Sequence, residues 1–222
     1  MDGLEKLIDL MPQFLSDTGK TFYIVGLSMI FGGIGGLIIG TTLYVTRSGG
    51  VLANRAVQAI AGFVVNFFRP IPFLIFIAVA QPLARAIVGT GIGDEAAIVA
   101  ISVAASFGIG RIVEQNLVSV DPGVIEAARA MGAGPWRIIR TVILPEAFGP
   151  LILGYTFATI AVIDMSAVAG FIGSGGLGNF AIVYGYRQYN DWATWAAVLI
   201  IVIIVSIVQA LGNAWSRKVM RR

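Results

Sequence analysis

The sequence predicts an all-α integral membrane protein with five transmembrane helices, a short amphipathic N-terminal helix and a helical cytoplasmic loop. Three observations predict it. Hydrophobic residues make up 57% of the 222 and charged residues 12%, against about 45–50% and about 25% in soluble proteins. The apolar residues fall in nearly uncharged runs long enough to cross a bilayer, which takes roughly 20 residues. Lys and Arg collect on one set of connecting segments, which gives the spans a direction. The mean hydropathy of +0.88 excludes a disordered chain. There is no Cys and no His, so disulfide frames, Ser-His-Asp hydrolysis and most metalloenzymes are excluded. No metal site is expected, and the length suits one domain over 1–222.

Residues 1–16 read as an amphipathic helix lying along the outer membrane surface. Leu4, Leu7, Ile8, Met11 and Leu15 share one face, and Asp2, Glu5, Lys6 and Asp9 the other. The segment lacks the basic start and small-residue cleavage site of a signal peptide. Asp17-Thr18-Gly19-Lys20-Thr21 ends like a phosphate-binding loop, but Phe14 stands where the earlier glycine belongs, so it reads as an interfacial turn opening span one. Span one is the uncharged run 21–46, in which Gly32, Gly36 and Gly40 share a face and admit a close neighbouring helix.

Span two runs from Ala56 to Ala84, interrupted by Arg69-Pro70. It is too long for one straight crossing, so Arg69 either anchors at the cytoplasmic boundary or lines a path. Span three follows Asp94-Glu95, with Asp94 as N-cap, and runs to Gly110. Segment 111–149 then carries two short helices: one capped by Asp121 and Pro122 and stopped at Gly132, the other from Trp136 to Leu144, ended by Pro145. Span four covers Pro150–Ile172 and contains Asp164; span five covers Trp192–Trp215. Between them, Gly173-Ser174-Gly175-Gly176-Leu177-Gly178 matches a dinucleotide fingerprint in letters only. It follows a membrane span instead of a strand, and reads as a hinge or close-packing loop.

Arg47 and Arg55, the four arginines 111, 129, 137 and 140, and the tail Arg217, Lys218, Arg221 and Arg222 all lie on one side. That side is cytoplasmic, and the N-terminus is outside. The net charge of +3 reflects this asymmetry, and no nucleic-acid partner is expected. No internal repeat of the kind that builds secondary transporters is found.

Glu126-Ala127-Ala128, three residues, Gly132, nine residues, then Val142-Ile143-Leu144-Pro145 resembles the EAA loop of the membrane permeases of ABC importers, departing only at Val142. Asn66-Phe67-Phe68-Arg69-Pro70-Ile71-Pro72-Phe73 is similar to the Asn-x-Phe-Arg-Ser-Ile-Pro-Phe segment of the methionine-importer branch. So are the glycines of 173–178, Tyr184-Gly185-Tyr186 and Tyr189-Asn190. The resemblance runs from Thr21 to nearly the end of the chain; the N-terminal segment lies outside it.

The resemblance implies a type I ABC-importer permease fold used as a homodimer. It implies that Glu126, Ala127, Ala128, Gly132, Leu144 and Pro145 form the loop that docks on the ATPase. Two copies of a cytoplasmic ATP-binding subunit would hold ATP and Mg, this chain would bind no cofactor, and an external substrate-binding protein would deliver the solute. Lipid surrounds the spans in a bacterial inner membrane. Candidates for the translocation path or gate are Asn66, Arg69, Pro70, Asp164, Met165, Ser166, Gly173, Gly175, Gly176 and Gly178. Asp164 departs from that branch, where a small neutral residue stands. It either attracts a substrate ammonium or sits protonated and hydrogen-bonded within the bundle, the latter being preferred. Open alternatives are a permease for another small solute, such as a polar amino acid or a phosphonate, and a stand-alone channel. An integral-membrane enzyme lacks a cluster of His, Cys or acids at one depth.

Overall fold

The computed structural model describes residues 3–220. All of its regular structure is helical. Helix α1 (Gly3–Asp9) is separated by Leu10 alone from α2 (Met11–Thr46). At about 1.5 Å per residue, the 36 residues of α2 are longer than the roughly 30 Å hydrocarbon core, so it projects from the membrane. The expected surface helix over 1–16 is thus corrected: α1 is separate, residues 11–16 belong to α2, and residues 1 and 2 lie outside the described part. The expected turn at Asp17–Thr21 is helical as well. The helix need not break at its charges, because Asp17 is fully buried and hydrogen-bonded.

The second apolar run is three helices, α3 (Arg55–Phe68), α4 (Phe73–Val79) and α5 (Gln81–Val88). Asn54 caps α3 by accepting from the amides of Ala56 and Val57. Pro70 and Pro72 remove two donors from the next turn, and α4 leaves α3 at 109°. Helix α6 (Asp94–Val118) extends eight residues beyond the expected end, so Arg111 is helical and not in a loop. Then follow α7 (Pro122–Ala130) and α8 (Pro135–Ile138), a π-turn at Ile139–Ile143, and α9 (Leu144–Glu146). Pro145 does not end the helix as expected. The widened π-turn just before it accommodates the missing donor, and the chain continues into α10 (Phe148–Phe171).

After α10 the chain turns back through α11 (Leu177–Phe180), a π-turn at Ala181–Gly185 and a 3₁₀ turn at Tyr186–Gln188, and re-enters as α12 (Asp191–Met220). Four helices, α2, α6, α10 and α12, are each long and apolar enough to cross a membrane, and the bent pair α3–α4 makes a fifth candidate crossing.

The core centres on α2 against α6, the most extensive helix pair. Gly32, Gly36 and Gly40 share a close-packed face as the spacing predicts, and the helix that meets it is α6. A Cβ at Gly32 would lie 3.0 Å from Ala105 Cβ, and at Gly36 2.5 Å from Ile109 Cβ. This contact encloses Ile24, Leu43, Ile101, Ile109, Val113 and Leu117, all at most 2% exposed. Between α2, α10 and α12 lies an open groove of about 840 Å³ lined by Ile30, Leu37, Phe148, Tyr155, Leu211 and Trp215 among others. The hydroxyls of Tyr155, Thr156 and Thr159 donate to the backbone oxygens of Gly33, Ile152 and Tyr155. No hydroxyl donor is left over, so this groove suits hydrocarbon and not a polar solute.

Candidate functional site

Polar chemistry gathers at three levels along the bundle. The first is the end bearing α7. Asp121 Oδ1 accepts from the Gly123 amide at 2.8 Å, and Pro122 opens the helix. Gly132 has φ +80°, and the Ala133 amide reaches back to Ala128 O at 3.1 Å. This pair closes the helix as a Schellman motif. Ile125 and Ala128 are buried, whereas Glu126, Ala127 and Gly132 are exposed. Beside them Met131 is 81% and Trp136 66% exposed. Arg129 Nη2 donates to Gly49 O at 3.4 Å and ties the helix to the segment after α2. Leu144 and Pro145 lie apart from this surface, on the helix rising towards α10; Leu144 lines the apolar groove.

The second level is the opposite end, where the glycine loop meets α2 and α6. Three consecutive amides donate to side chains from distant segments. Gly175 N–H reaches Asp94 Oδ1 at 2.6 Å, Gly176 N–H reaches Asp17 Oδ1 at 3.4 Å, and Leu177 N–H reaches Thr21 Oγ1 at 2.8 Å. Asp17 Oδ2 also accepts from Gln13 Nε2 at 2.9 Å, and Lys20 Nζ stands 4.0 Å from Asp94 Oδ2. Gly173 and Gly176 have φ of +109° and +94°, which L side chains rarely adopt. Gly178 belongs to α11 and packs on the backbone of Ala167. Gly173, Gly175, Gly176 and Gly178 are therefore brought together, as a close-packed loop and re-entrant turn.

Asp94 is not the N-cap of α6. Gly93 holds that position, and the Asp94 carboxylate is turned to the loop instead. The partners Asp17, Thr21 and Asp94 were not among the expected site residues. The one sequence signal was an acid and a threonine four apart at the start of an apolar run.

The third level lies between these two ends. Asn66 Oδ1 accepts from Arg111 Nη2, whose Nη1 pairs with Glu114. Arg69 and Pro70 occupy the exposed turn between α3 and α4. The neighbouring Phe68 stacks on Phe107, 5.0 Å between centroids, near the middle of α6. Arg69 makes no side-chain hydrogen bond or ion pair among the described residues.

Ser166 is buried, Met165 half-buried and Asp164 exposed. In the single chain the Asp164 carboxylate has no partner among the described residues and faces outward. The physical reason is helical phase. Leu153, Phe157, Asp164 and Phe171 recur on one stripe of α10 that no other helix covers. Among the described residues no group of three or more His, Cys, Asp and Glu could hold a metal ion.

Comparison with known proteins places this geometry in context. Residues 32–221 match the family described as binding-protein-dependent transport system inner membrane component. A Vibrio cholerae protein named as a D-methionine transport system permease is 37% identical over 205 residues, 92% of this chain and 91% of its own. The Bacillus subtilis methionine import system permease protein is 45% identical over 148 residues, 67% of each chain. A solved structure described as an inward-facing conformation of the MetNI methionine ABC transporter has a chain that superposes with a TM-score of 0.92 at 39% identity, covering 95% of this chain and 98% of that one.

Proposed function

The chain belongs to the family of binding-protein-dependent transport system inner membrane components, and from that premise we propose that it is the membrane-spanning permease of an ATP-driven methionine importer. The observation that carries this reading is α7. A nine-residue helix, capped at both ends and displaying Glu126, Ala127 and Met131 to solvent, is built to be gripped by another protein. The relatives named for methionine transport support the solute.

Two copies of the chain pair around a shared path. Each α7 docks on one of two cytoplasmic ATPase subunits, which hold the ATP and Mg, and this chain hydrolyses nothing. An external binding protein hands over the solute at the glycine-loop end, and the α7 end and Arg217–Lys218 tail lie in the cytoplasm. The N-terminus is then outside. Closure of the ATPase pair drives the two α7 helices together and opens the glycine-loop end; nucleotide release reverses this. Such a cycle needs ATP and solute to bind the two states unequally.

The test is uptake of labelled methionine by cells lacking their own importers and expressing this chain with its ATPase and binding protein. Energy-dependent uptake, blocked best by unlabelled methionine, is the expected result. A stable, ATP-hydrolysing complex without methionine uptake would keep the permease and discard the solute. Ion conductance without ATP would replace the permease with a channel.

A further inference from the structure

One level inward of the glycine loop the fold leaves a charge uncompensated. Asp164 lies in the outer third of α10, seven residues before its end. It shares its exposed stripe with Leu153, Phe157 and Phe171. No Lys or Arg pairs with it among the described residues: Lys20 faces Asp94, and Arg111 is held by Glu114 and Asn66. A carboxylate at this depth is not stable against lipid and turns to a bundle interior or a water-filled cavity.

The turn after α10 locates this charge. Gly178 of the re-entrant turn packs on Ala167, three residues outward of Asp164. The segment 173–188 combines open loop, π and 3₁₀ backbone. Irregular backbone within a membrane is tolerated where protein buries it, and residues 174–178 are buried. The latch of Asp17, Thr21 and Asp94 closes that segment from the far side. Asp164 is thus an unpaired anion three residues inward of that packed turn, on the stripe of α10 left uncovered in the single chain.

We propose that Asp164 lines the solute path and receives the ammonium group of the transported amino acid. This rests on the methionine-importer reading above and deepens it. An ammonium offers three donors to a carboxylate that has none, and charge-assisted bonds are about twice as strong as neutral ones. The interaction compensates the unpaired anion only while the solute is present, so the occupied and empty states differ in a way that a transport cycle can use.

The experiment has two arms. The chain contains no cysteine, so Asp164→Cys introduces a single thiol. In the assembled complex that thiol is expected to react with a water-soluble cationic thiosulfonate reagent. Absence of reaction in an assembled complex would overturn the path assignment, whatever the solute. In the second arm, Asp164→Asn and Asp164→Glu complexes are reconstituted in vesicles with ATPase and binding protein. In complexes that assemble, asparagine is expected to lower methionine uptake at least tenfold, and glutamate to restore most of it. Uptake within twofold of wild type in Asp164→Asn would overturn the ammonium assignment. Loss of assembly or of basal hydrolysis would replace it with a structural pairing across the dimer. A wild-type complex that imports no methionine would remove the solute reading and the ammonium assignment together, while a reactive thiol would keep Asp164 in the path.

Discussion

Gly175 and Asp94, 81 residues apart in sequence, are joined by a 2.6 Å hydrogen bond from the backbone N–H of the glycine to the carboxylate of the acid. It is the shortest of three bonds that fasten the turn after α10 to α2 and α6. A bond to a charged acceptor contributes about 1.5–3 kcal/mol when well formed.

Removing the acceptor should therefore loosen the loop. Asp94→Ala is expected to raise hydrogen exchange of the segment 173–178 roughly tenfold or more, given that bond strength. Asp94→Asn, which keeps an oxygen acceptor, should exchange at an intermediate rate. Exchange by mass spectrometry on the purified complex reads this directly. Unchanged protection in the alanine variant would remove Asp94 from the latch.

Gly176 has φ +94°, and a Cβ there would meet Thr21 Oγ1 at 2.9 Å. Gly176→Ala should cost about 1–2 kcal/mol in backbone strain and displace the Leu177 amide from Thr21. A lower thermal midpoint of the solubilised protein is the expected result, together with faster exchange at residue 177. A midpoint equal to wild type would show that the turn relaxes freely.

The α2–α6 contact can be probed at two glycines of one helix. Gly36→Val adds bulk against Ile109 Cβ, where even a Cβ would stand at 2.5 Å. Overpacking of that kind costs about 1–3 kcal/mol or more. Gly26→Ala meets nothing within 4 Å and should be neutral. Monodisperse yield by size-exclusion chromatography compares the two. Equal yields would contradict the assigned packing.

Glu126 is exposed and makes no hydrogen bond or ion pair among the described residues. Glu126→Lys should therefore leave folding and insertion intact while abolishing transport and co-purification of the ATPase. Transport at the wild-type rate would end the docking role assigned to α7.

Much of the architecture was legible in the sequence because it depends on local terms. Uncharged runs located α2, α6, α10 and α12, since a bilayer filters segments by length and charge. Asp121, Pro122 and Gly132 marked α7 within a residue, because caps and breakers act within one turn of chain. The four-residue glycine spacing predicted close packing, although not the partner helix, for the same reason.

What depended on distant segments had to wait for the tertiary structure. Asp94 has the sequence context of a helix cap, and only the approach of Gly175 turns its carboxylate to the loop. Asp17 looked like an interfacial charge, yet it is fully buried because Gln13 and Gly176 supply donors. Pro145 reads as a stop, and a π-turn carries the helix past it. Asp164 reads by preference as hydrogen-bonded within the bundle, with path-lining as the alternative, until the neighbours of α10 are known. A side chain's type and period determine which face of its own helix it occupies; which other element covers that face is a property of the assembled bundle alone.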